Sequence, residues 1–270
     1  MPGSGTLKGM DTDIKEMLLG ETPGTTLLGH AKANPGMFPE LDALAEMGTG
    51  GGRHKDNFAH SGQVADQTVR TSDGDVGEDL LVAAAAVFHD VGKAPTRKFD
   101  KGKVTFHHHE ARSQKIVRDR LPRYGFSADE ANAVASVIRL AARIQAIGDP
   151  SDHAVRGLLA DAENDDALLR MGFRLARADV TSKHDSVRAH VEAVVSSVSV
   201  AIVRLRRVEA HAAFRPPIDG NRVSEITGIN PSRDLGEVLE ALTEEARRLH
   251  DAGTPMSVSA AETFAAEYEQ

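Results

Sequence analysis

The run Leu80 to Val87 is apolar throughout and closes on Val87-Phe88-His89-Asp90-Val91-Gly92-Lys93. A segment that is apolar all round has to be enclosed by other elements. An adjacent His and Asp therefore sit where a buried helix meets its end. Neighbouring helical residues point about 100° apart, so His89 and Asp90 can grip one ion only if other helices bring the remaining ligands. A neutral imidazole with a carboxylate is a mixed nitrogen and oxygen donor set, suited to Zn, Mn, Fe, Co or Ni. Taken alone, the pair reads better as a helix end with a cap and a charge. The rest of the chain reverses that balance.

The chain has 270 residues, enough for one large or two small domains, and with two Tyr, no Trp and many Ala, Arg and Glu it suits helices better than sheets. Acidic residues outnumber basic ones, 40 to 32, for a net charge of -8, which argues against a general polyanion-binding surface but leaves room for a local basic patch. The absence of Cys excludes disulfides and thiol chemistry. No segment has the pattern of a signal peptide, and none is expected to span a membrane, so a cytoplasmic location is expected.

In chain order, residues 1–10 read as loose. Ile14, Met17 and Leu18 give a short helix ending at Gly20, Thr25 to Ala33 a second, and Pro39-Glu40-Leu41 opens a third. The run Gly48 to Gly52 has neither a strand before it nor a Gly-Lys-Ser/Thr after it, and reads as a loop rather than a phosphate cradle. His60 lies at the start of a helix carrying Val64, Ala65 and Val69, and the buried helix is expected over Asp79 to Asp90. Thr96 to Phe106 reads as a small β-hairpin turning at Asp100-Lys101-Gly102, before His107-His108-His109-Glu110 leads into a helix from Ala111 to Leu121. Three consecutive His at an internal helix start hint at metal or phosphate chemistry. Ser127 to Glu130 is a capping box for a helix buried through Ala131, Val134, Ala135 and Ile138. Further helices are expected over Asp152 to Leu159 and Ala167 to Ala178, with Asp179 an acidic residue able to pair with Arg177 or Lys183. From Asp185 the apolar positions Val187, Val191, Val194, Val198, Ala201, Leu205 and Val208 describe one long helix, read as packing on the body rather than as a coiled coil. After a break at Phe214 to Gly220 the tail gives an amphipathic helix through Leu235, Val238, Leu242, Ala246 and Leu249, and a last short one capped at Ser259 to Glu262.

His60, His89-Asp90 and Asp179, each on its own helix, resemble the HD superfamily of metal-dependent phosphohydrolases. The segments His54 to Ser61, Phe88 to Lys93, Val104 to Glu110 and Ala178 to Ser182 are similar, in order, to the HD portion of bacterial CCA-adding tRNA nucleotidyltransferases. Pro39-Glu40-Leu41, Arg215 to Asn221 and Gly228 to Pro231 resemble the flanking parts of that family. The fold implied is all-α: an HD-domain helical bundle with a small β-hairpin and a C-terminal helical appendage. The corresponding division is residues 1–47, an N-terminal helical segment; 48–210, the HD domain; and 211–270, the appendage. No Gly-Gly-x-x-Arg-Asp segment or strand-borne Asp-x-Asp occurs, so CCA addition by this chain is not expected. Where the family commonly carries a further His, in a Leu-His-x-Arg context, this chain reads Leu140-Ala141-Ala142-Arg143. That favours a single ion, or a second held weakly by His108 or His109.

The resemblance implies a phosphomonoesterase or 2′,3′-cyclic phosphodiesterase acting on nucleotides or RNA ends. His60, His89, Asp90 and Asp179 would hold a divalent transition metal (Ni, Mn, Co, Fe or Zn) or Mg. Asp90 would also orient the attacking water, with Lys93, Arg143 and His109 neutralising phosphate oxygens. The alternative is a non-catalytic RNA-binding or assembly module with a structural metal. Expected partners are the phosphate substrate, tRNA or a separate nucleotidyltransferase subunit, and a second copy in a homodimer; no membrane and no organic cofactor is expected.

Overall fold

The computed structural model describes residues 13–47, 56–100, 103–181 and 184–268. The expected loose N-terminus, the Gly48 to Gly52 loop, His54 and Lys55, the hairpin turn at Lys101-Gly102, Ser182 and Lys183 lie outside the described residues. The chain divides into two compact units, Met1–Ile202 and Val203–Gln270.

The first unit is a helical body. It begins with α1 (Ile14–Leu18), α2 (Pro23–Ala33) and α3 (Pro39–Glu46), of which the last two start with proline, whose fixed φ suits a first helical turn. Then come α4 (Asn57–Thr68), α5 (Val76–Phe88), the single turn α6 (Lys93–Thr96), α7 (His109–Arg120), α8 (Ala128–Ala146), α9 (Asp152–Asp161) and α10 (Asp166–Ala178). The hairpin has strands β1 (Lys98–Asp100) and β2 (Lys103–Thr105), antiparallel with Phe99 opposite Val104, and it is the sheet structure among the described residues. Side-chain caps start most helices: Asp56 accepts from the Ala59 amide, and Ser127 with Glu130 closes the reciprocal box.

At the centre lies α5. Val82 to Phe88 are all at most 2% exposed, and the helix packs against α4, α8 and α10. The helix runs three residues earlier than expected at its start, capped by Asp75, and stops at Phe88, so that His89 is its C-cap and Asp90 lies in the following turn. Packing of α8 on α10 is close enough that a Cβ on Gly172 would meet Leu140 Cβ at 2.8 Å.

One long helix, α11 (Asp185–Ala213), follows. By length and composition it holds a window apolar enough to cross a membrane, 22% buried, where the sequence reading expected none. Its apolarity comes mainly from Val and Ala, and its buried positions Val195, Val198, Ala201, Ile202 and Leu205 form the stripe of a packed amphipathic helix. The second unit adds α12 (Gly220–Thr227), just after the expected break and in a stretch to which the sequence reading assigned no helix, then α13 (Arg233–Asp251) and α14 (Val258–Glu267). Its own core contains Ile218, Val223, Leu235, Val238, Leu242, Ala261 and Ala265. The cap of α14 is Ser257, accepting from the Ala260 amide at 3.1 Å, rather than Ser259.

Candidate metal centre

Three helices bring the polar cluster together. His60 lies in the first turn of α4, His89 caps the end of α5, and Asp179 caps the end of α10. Asp179 is thus not inside a helix, as the sequence suggested, but at its carboxyl end. Two helix C-termini, each carrying partial negative charge, converge on the same spot, which favours a cation there.

The side chains are linked by short contacts. His60 Nε2 lies 2.9 Å from Asp179 Oδ1, and its Nδ1 lies 3.1 Å from Thr181 Oγ1. His89 donates from Nδ1 to the Ala86 carbonyl at 2.8 Å, which turns Nε2 toward Asp90 Oδ2 and Asp179 Oδ1, both at 3.4 Å. His109 does the same one helix away: Nδ1 donates to the Phe106 carbonyl at 3.0 Å, and Nε2 lies 3.4 Å from Asp90 Oδ1. A carbonyl can only accept, so both Nε2 atoms are left with a lone pair when the rings are neutral, the tautomer a metal requires. One donor atom each from His60, His89 and Asp179 lies within 4.8 Å of the others. Asp90, 2% exposed, stands beside this trio rather than in it, with Lys93 Nζ at 2.5 Å from its Oδ2. Lys93 also reaches Asn57 Oδ1 at 3.3 Å.

Without a metal, the two carboxylates draw their neighbours toward the protonated, cationic form. Burial alone would lower the His89 imidazole, yet the charge of Asp90 and the hydrogen bond and charge of Asp179 raise it to about 9. Burial would raise both carboxyls. Instead His89, His109 and Lys93 hold Asp90 well below the usual range, and His60 and His89 do so for Asp179. Two ionised carboxylates in a buried spot draw positive charge, and the donor set therefore fits a divalent cation.

The cluster opens into a cavity of about 380 Å³ whose polar wall includes His60, His89, Asp90, Lys93, His109, Glu110 and Asp179, and whose apolar wall is Ile138, Ala141, Ala142 and Leu175. All the expected site residues except Arg143 line it. Arg143 pairs with Asp161 and packs over Gly157 of α9. Ala141 faces the cavity, so Arg143, two residues on, is turned about 200° away around the helix. His107 and His108 are exposed, and of the triple His only His109 lines the cavity. His108 takes a left-handed backbone, φ 62°, at the N-cap of α7. Asn57, Glu110, Ala142 and Gln145 were not singled out from the sequence. Gln145 had a signal, since it falls one turn beyond Ala141 on the same face.

Residues 57–182 match the HD domain family, the family that the pattern His60, His89-Asp90 and Asp179 resembles. The A-adding tRNA nucleotidyltransferase of Deinococcus radiodurans is 29% identical over 231 residues, 83% of this chain and 50% of that protein. The chain thus spans about half the length of the curated relative it matches. No solved structure matches it significantly.

Proposed function

We propose that this chain is a metal-dependent phosphohydrolase, a phosphomonoesterase or 2′,3′-cyclic phosphodiesterase, acting on nucleotides or RNA ends in the cytoplasm. The observation that carries this reading is the convergence of His60, His89 and Asp179, from three helices, on one wall of a cavity beside the buried Asp90–Lys93 pair. His60, His89, Asp90 and Asp179 would hold the ion, which when bound lowers the pKa of a water and takes up charge on the phosphoryl group. Asp90 has a second role, accepting a hydrogen bond from the attacking water and so orienting it. Lys93, steadied by Asn57, offers its ammonium to a non-bridging phosphate oxygen. His109, its ring fixed by the Phe106 carbonyl, can donate to a phosphate oxygen from Nε2 only as the imidazolium, which carries a proton on both nitrogens. The likeness to an A-adding tRNA nucleotidyltransferase supports RNA ends as the substrate, with tRNA, a separate nucleotidyltransferase and a second copy of the chain as proposed partners.

The test is a hydrolysis screen with and without added Mn2+, Ni2+, Co2+, Zn2+ or Mg2+, using p-nitrophenyl phosphate, a 2′,3′-cyclic nucleotide and a 3′-phosphorylated RNA. Metal-dependent turnover that disappears in Asp179→Asn is expected. Tight tRNA binding with no turnover under any metal would replace this reading with the non-catalytic module.

A further inference from the structure

Gln145 has no part in the ligand set, yet it makes the contact that fixes one ligand. Its Nε2 donates to the Ala176 carbonyl at 3.0 Å and to Asp179 Oδ2 at 3.1 Å. Both partners can only accept, so the amide can sit one way round, with its two N–H groups consumed. The other oxygen of Asp179, Oδ1, is the one that faces His60 Nε2 at 2.9 Å and His89 Nε2 at 3.4 Å. We propose that Gln145 is a positioning residue that clamps Asp179, holding Oδ2 so that Oδ1 is presented to the metal position.

Three features support this. Asp179 is a helix-end residue with its side chain 26% exposed, so without the clamp its carboxylate is held only through Oδ1, by His60 and His89. Arg177, the neighbouring cation that would compete for it, is engaged by Glu192 at 2.9 Å. A neutral amide holds a carboxylate without cancelling its charge, which leaves that charge for a cation, whereas Lys or Arg would spend it. The clamp also ties α8 to a carbonyl in the last turn of α10, where helix carbonyls lack partners. Through Gln145, α8 thus contributes to the centre although Ala141 offers it no donor.

The inference rests on the proposed metal centre, and the experiment separates the two. Metal affinity of the full chain is measured by calorimetry with Mn2+, Ni2+, Co2+ and Zn2+, with Mn2+ electron paramagnetic resonance as a second readout and metal-free melting as a control. Gln145→Met keeps the length and removes the donors. It should weaken metal binding by about tenfold to a hundredfold, broaden the Mn2+ signal and leave the metal-free melting temperature near wild type. Arg139→Met, on the same helix but bonded to Asp161 instead, controls for loosening of α8 and should leave metal affinity unchanged. If wild type binds and Gln145→Met binds equally well, or Arg139→Met weakens binding as much, the clamp is refuted while the centre stands. If wild type binds none of these ions, the centre and the clamp both fall.

Discussion

At the residue scale, the site depends on which nitrogen of each imidazole is occupied. Because the Ala86 and Phe106 carbonyls take the Nδ1 protons of His89 and His109, Nε2 of each ring meets the carboxylates. Asp90→Ala removes an oxygen donor and should lower bound metal, counted by elemental analysis, without loss of the helical spectrum; full occupancy in that variant would show that Asp90 is not a ligand. Ala141 is 5% exposed and lines the cavity. Ala141→His should therefore raise the metal-to-chain ratio toward two, at an overpacking cost of about 1–3 kcal/mol. Unchanged metal with a lower melting temperature would show that the residue only packs. Arg143, expected at the phosphate, is held by Asp161 instead, in a part-exposed pair worth under about 1 kcal/mol. The resemblance to the HD family made His60, His89, Asp90 and Asp179 legible, but nothing local distinguishes Arg143 from Ala141 until the helix is docked.

At the element scale, the placing of α7 decides where His109 stands. A Cβ on Gly92 would meet the His109 carbonyl at 2.1 Å and the Ser113 amide at 2.6 Å, and the Gly92 amide donates to Ser113 Oγ at 2.9 Å. Gly92→Ala should push α7 off the α5–α6 turn and lower both stability and turnover; a variant with wild-type melting and activity would refute this seating. On the opposite flank, Tyr124 donates to Glu40 Oε1 at 2.7 Å and fastens α3 to the segment after α7. Burial raises the Glu40 pKa, against the Tyr124 hydrogen bond and the Arg120 charge that lower it, with Asp42 adding to the rise. The folded chain therefore binds more protons here than the unfolded one, so stability is greatest below the usual carboxylate range and falls as pH rises through the folded pKa. Glu40→Gln keeps an acceptor for Tyr124 and removes that slope, so its melting temperature should gain on wild type as pH rises from acid to neutral. Parallel melting curves across that range would contradict it. Tyr124→Phe strands a buried carboxylate oxygen and should cost about 1–3 kcal/mol.

At the scale of the whole molecule, the candidate centre belongs entirely to the first unit, while the second has a separate core built on α12, α13 and α14. A ligand that binds only the folded first unit stabilises that unit by mass action, about 2.7 kcal/mol at a hundred times its dissociation constant. Scanning calorimetry should show metal raising one transition and leaving the transition of the second unit in place. Equal shifts of all heat absorption would mean that the two units unfold as one.

The sequence by itself determined the helical class, the central place of the apolar run Leu80 to Val87, the capping box at Ser127 and, through its family resemblance, six of the polar residues that line the cavity. The class, the central run and the cap follow from local chemistry: periodicity, capping and the solvent aversion of a segment with no polar face. Only the tertiary structure decided that Ala141 and Gln145 turn inward and Arg143 outward, that Asp179 ends a helix, and that His109 alone of three consecutive His enters the site. Periodicity fixes the angles between residues on one helix but not the angle that the helix presents to its neighbours. That last angle is set by packing at such points as Gly172 against Leu140, between residues far apart in the chain.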